Sequence, residues 1–66
     1  MKNYRAEFSH RIGGQQVNRV KTFWMSSKKK AIGKFRSLRK ADSTIQEARL
    51  FRQRDESLVD EYVGYI

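Results

Sequence analysis

Three consecutive lysines, Lys28-Lys29-Lys30, follow the pair Ser26-Ser27 and precede an apolar stripe at helical spacing. A serine at a helix start accepts a hydrogen bond from an otherwise unpaired backbone N–H. The run therefore reads as the first turn of a helix, with Ser26 or Ser27 as its cap. Ammonium groups at that end oppose the helix macrodipole, each by a few tenths of a kcal/mol up to about 1. A chain shaped by stability alone would carry Asp or Glu there. An anion held by the free N–H groups, the serine hydroxyl and the lysines resolves the conflict, and a phosphate of a nucleic-acid backbone fits best. The plainer alternative is three solvated, tolerated lysines. SSKKK lacks the glycine spacing and the preceding strand end of a Walker loop.

The surroundings are as basic as the run itself. Arg19–Lys40 holds nine Lys or Arg and no acid. Residues 1–40 carry twelve basic residues against one acid (+11), and residues 41–66 carry three against six (−3), which gives the total of +8. Such segregation costs self-repulsion unless an anionic partner offsets it or the acidic tail folds back on the basic face. A basic stripe of this kind is the electrostatic footprint of nucleic-acid binding.

Other chemistry has little to build with. The chain has no Cys and one His, so neither disulfides nor a transition-metal site is expected. His10 falls on an inner strand face and is expected to be structural. Asp55, Glu56, Asp60 and Glu61 match no cation-loop spacing. No serine has a plausible base nearby other than His10, and 66 residues leave little room for a walled pocket. The chain is therefore expected to be non-enzymatic and to need no cofactor. No apolar run is long enough to span a bilayer, no secretory signal is visible, and the absence of Cys fits the cytoplasm.

The elements that must position the basic residues follow from periodicity. Residues 3–12 alternate, with Tyr4, Ala6, Phe8, His10 and Ile12 on one face, as in a half-buried strand. Gly13-Gly14 is a turn signal. Residues 16–25 are β-branched and aromatic, a second strand. A two-residue Gly-Gly loop would set Phe8 opposite Arg19 and waste the buried face. The loop Gly13-Gly14-Gln15 instead sets Tyr4 opposite Trp24, Ala6 opposite Thr22, Phe8 opposite Val20 and Glu7 opposite Lys21, pairs that favour a register by a fraction of a kcal/mol, up to about 1. That register gathers Arg5, Arg11, Arg19, Lys21 and Phe23 on the other face as a second candidate surface, of the kind on which a base stacks while cations hold phosphates. Cover over Phe23 by Met25 or by the C-terminal strands is the competing explanation.

Ala31, Ile32, Phe35 and Leu38 form the helix stripe. Lys29, Gly33, Arg36, Ser37 and Lys40 gather opposite, Lys30 and Lys34 border them, and Arg39 lays its stem along the stripe. Residues 44–54 fit a capped helix or a strand. The Val- and Tyr-rich tail LVDEYVGYI favours a final hairpin with a turn at Asp55-Glu56-Ser57 and an acidic neighbour for Arg49 or Arg52. The expected fold class is α+β: a single domain over residues 1–66, ordered β-β-α-β-β, with one antiparallel sheet and one helix on one face. Its expected core is Tyr4, Phe8, Val20, Trp24, Ile32, Phe35, Leu38 and one face of the tail, so that Trp24→Ala should unfold it.

The leading expectation is a nucleic-acid-binding module, with duplex DNA as first choice and RNA as the other candidate. Ser27, Lys28, Lys29, Lys30, Lys34, Arg36 and Lys40 would contact the backbone. The alternative is a small inhibitor or adaptor docking on an acidic surface of a larger protein. Monomer or weak dimer is expected, with VGYI as one candidate pairing edge.

Overall fold

The computed structural model describes residues 2–64. Tyr65 and Ile66, the end of the expected final strand and of the candidate edge VGYI, lie outside the described residues. The order is β1 (Lys2–Ile12), β2 (Gln15–Met25), α1 (Lys28–Lys40), β3 (Ile45–Arg52) and β4 (Ser57–Val63). The four strands form one antiparallel sheet in the order β2-β1-β3-β4, with α1 on one face. Fold class and element order are those the periodicity predicts.

Both ends of α1 are closed by its own sequence. Ser27 has extended backbone, and its Oγ accepts from the N–H of Lys30 at 3.2 Å. At the other end the Ala41 N–H donates to Ser37 O. Ala31 and Phe35 are fully buried, and Ile32 and Leu38 pack at their margin. Phe35 stacks on Phe8 with ring centroids 5.8 Å apart. Tyr4, Ala6, Phe8, Ile45, Ala48 and Leu50 complete the core from β1 and β3. Asp55 closes the β3–β4 hairpin, accepting from the N–H and hydroxyl of Ser57 and from the guanidinium of Arg52. Across that hairpin Arg49 meets Glu61.

The β1–β2 register differs from the expected one. Gly13 and Gly14 both take positive φ, +58° and +79°, the geometry of a two-residue type I′ turn. Tyr4 therefore faces Phe23, Ala6 faces Lys21, Phe8 faces Arg19, and Glu7 faces Val20. The expectation fails because it requires both strands of the hairpin to be buried. β2 is an edge strand, and the helix shields the central pair β1 and β3. The helix side of β2 can carry Arg19 and Lys21 at the rim of the core without desolvating them.

One step of register moves every β2 side chain to the other face. Val20 and Trp24 leave the expected core and stand on the open face, 62 % and 63 % exposed. Phe23 takes the inner place, stacked on Tyr4 at a centroid distance of 6.5 Å. The expected unfolding by Trp24→Ala is thereby overturned. A thermal melt of Trp24→Ala should fall within about 0.5 kcal/mol of the parent, as at exposed sites without special contacts. Global unfolding of that variant would contradict this register.

Candidate functional site

Which cations are available is decided by where the acids go. All seven acidic side chains of the chain sit beside an arginine or the histidine. Arg5 meets Glu7 at 3.0 Å and Glu56 at 2.8 Å. Arg36 meets Asp60 at 2.9 Å, Arg49 meets Glu61 at 2.9 Å and Glu47 at 3.8 Å, and Arg52 meets Asp55 at 2.6 Å. His10 meets Asp42 at 3.3 Å. Among the described residues no lysine has an acidic partner. The acidic tail does fold back, but onto the sheet arginines and Arg36, and it leaves the lysines bare.

The helix splits its cations between two flanks. Toward β4, Arg36 is bound to Asp60, and the Arg39 guanidinium lies 4.0 Å from the centre of the Tyr62 ring. These contacts pin that flank. Toward β2, Lys34 Nζ stands 5.7 Å from the centre of the Phe23 ring, and Lys30 lies one turn behind it on the same side. Across the gap β2 presents Arg19 and Lys21, both exposed. Further along, beside the C-terminal end of α1, an open groove of about 400 Å³ is lined by Phe8, His10, Arg19, Lys21, Leu38 and Asp42. Lys28, Lys29 and Lys30 form the first turn at the opposite end of α1, with no acid in that turn.

Of the candidate residues, Ser27, Lys28, Lys29, Lys30 and Lys34 lie along the helix start and the β2 flank, and Arg36 lies on the β4 flank beside Asp60. Lys40 stands at the far end of the helix, where a cation suits the dipole. The second candidate surface, Arg5, Arg11, Arg19, Lys21 and Phe23, does not exist as one face. The register puts Arg5 and Arg11 on the open side, and Arg5 is held by two glutamates. Arg19, Lys21 and Phe23 lie on the helix side. The two surfaces expected on opposite sides of the domain therefore partly merge into a single basic surface on the helix side. The signal for it was the Gly-Gly pair, whose I′ turn alone fixes the register.

His10 and Asp42 anchor the end of the groove. The Thr44 hydroxyl donates to Asp42 Oδ1 at 2.6 Å. That hydroxyl must therefore accept from His10, whose Nδ1–H lies 2.9 Å from it. His10 is 5 % exposed and acts as a tether between β1 and the α1–β3 loop. The hydroxyl and N–H of Thr44 hold the Asp42 carboxyl below its ordinary value, aided by the charges of His10 and Arg19. Asp55 is lowered likewise, by Arg52 first and then Ser57. A lowered folded-state pKa stabilises above the unfolded value, here 3.8, and that contribution fades as pH falls through the folded value. Acid unfolding should accordingly steepen below about pH 4 and be shallower in Asp42→Asn, which a pH series of thermal melts would read.

Among the described residues no cluster of three or more His, Asp or Glu gathers around a possible metal position. No helix there is long and apolar enough to cross a membrane. Comparison with protein-family models, curated proteins and solved structures finds no match for this chain.

Proposed function

We propose that the chain is a non-enzymatic nucleic-acid-binding module, acting in the cytoplasm, that holds the backbone of duplex DNA along the helix start and the flank of α1 that faces β2. The observation that carries this reading is the distribution of ion pairs. Every acid is beside an arginine or the histidine, while Lys21, Lys28, Lys29, Lys30 and Lys34 stay unneutralised beside Arg19. Five such lysines over one side of a small domain repel one another, and a polyanion removes that cost. Lysine is a point-charge donor on a flexible stem, suited to phosphates and indifferent to base sequence.

Duplex is favoured over single strands by the aromatics. A single-strand platform needs an exposed ring among its cations. Phe23 is half-buried under Lys34, and the exposed Trp24 is on the other face.

A titration with random duplex DNA at two salt concentrations tests the reading, with single-stranded DNA and polyglutamate as competitors. Duplex should bind at low salt, weaken steeply as salt rises, and yield less to either competitor than to unlabelled duplex. Absence of binding at low salt would overturn the proposal. Stronger competition by polyglutamate would move the partner to an acidic protein surface.

A further inference from the structure

The other face of the sheet is bare, and its residues fit a second copy of the chain. Trp24 and Val20 stand on β2, and Leu58 and Val63 on β4, each more than half exposed. Between them β1 and β3 present Arg5, Glu7, Arg49, Glu47 and the half-buried Phe51, with Arg5 4.9 Å from the centre of the Phe51 ring. The charges here balance. Arg5, Arg11 and Arg49 stand against Glu7, Glu47 and Glu61, in a chain whose total is +8. On this face two such cationic molecules can approach without net repulsion.

The order of columns is also self-complementary. We infer that two copies pack open face to open face about a two-fold axis running along the strands between β1 and β3. That operation lays β2 of one copy over β4 of the other, and β1 over β3. Leu58 then comes over Thr22, between Val20 and Trp24, and Val63 comes over Asn18. Glu7 comes over Arg49, and Arg5 over Phe51, since these pairs share rows of the sheet. Face-to-face packing of two twisted sheets at about 10 Å is an ordinary geometry. It also supplies what the monomer lacks. Among the described residues only Tyr4, Phe35 and Leu50 are large and fully buried in one copy, and small domains commonly make up a thin core by association. Four strands at about 4.8 Å spacing bury on the order of 1,000 Å² over both copies, at the low end for a specific interface, so the dimer is weak. Both helix sides then face outward. If they bind duplex as proposed above, on which this consequence rests, one dimer joins two duplex segments.

The test needs protein alone, so it is independent of DNA binding. Sedimentation equilibrium of the full chain is run from low micromolar to near-millimolar concentration, with emission of the single Trp recorded alongside. The mass should climb from 7.9 kDa toward twice that value while Trp24 emission shifts to the blue. Leu58→Asp, on the opposite edge of the same sheet from Trp24, should abolish both changes and leave the circular dichroism of the monomer intact. A chain that stays monomeric at the highest concentration overturns the inference. So does a dimer that forms without a change at Trp24, or one that survives Leu58→Asp.

Discussion

Phe35→Ala should unfold the domain at room temperature. Phe35 is fully buried and stacks on Phe8, and with Ala31 it is one of two buried residues by which α1 grips the sheet. Truncating such a ring costs about 3–5 kcal/mol. Stability of about 0.05–0.15 kcal/mol per residue implies roughly 3–10 kcal/mol for a chain this short, and the thin core puts this chain toward the low end, where all of it goes. Far-UV circular dichroism read against temperature should show lost cooperativity for Phe35→Ala and a near-parental curve for Trp24→Ala. The reverse order would mean that the hairpin register is the other one and that Trp24 is inside.

Reversing Lys28, Lys29 and Lys30 together to Glu should separate stability from binding. Carboxylates in the first turn complement the macrodipole, and each exchange removes an unfavourable charge, so the melting point should rise by the equivalent of about 1 kcal/mol in total. Loss of three phosphate contacts should lower the dependence of log K on log salt by about 3, and the new negative charges should take affinity at low salt below detection. A variant that is both more stable and unable to bind is the signature of residues kept for a partner. Equal stability with unchanged affinity would assign the lysines to solvation alone. Replacement by Gln keeps the cap and removes only the charge, and it should fall between the two.

The elements are legible in the sequence where a single period dominates. The alternation of β1, the stripe Ala31–Phe35–Leu38 and the serine cap all survive in the fold, and the choice of a final hairpin over a helix in residues 44–54 is supported by Arg49 reaching Glu61 across it. The register of β2 escapes the same reasoning for a physical reason. Burial of Phe8 suggests an apolar partner across the hairpin, but Phe35 above it fills that role. Arg19 beside Phe8 then costs little on an edge strand. From that one step follow the displaced Trp24, the misplaced Arg19 and Lys21, and the division of the second candidate surface. The ion pairs lie further from reach. That Arg36 finds Asp60, twenty-four residues away, depends on where β4 lies beside the helix, and no spacing in the chain encodes it. The charge conflict at Lys28-Lys29-Lys30 needs only a helix start to be seen, and the fold leaves it unrelieved.

The most direct test of the central claim, that the bare cations of the helix side are the binding surface, is amide chemical-shift mapping by NMR with a short duplex DNA at low salt. Shifts should concentrate at Ser27–Lys30 and Lys34 and along Arg19 and Lys21, with Thr22, Trp24 and Phe51 on the open face little moved. Shifts centred on the open face, or none at all, would contradict it.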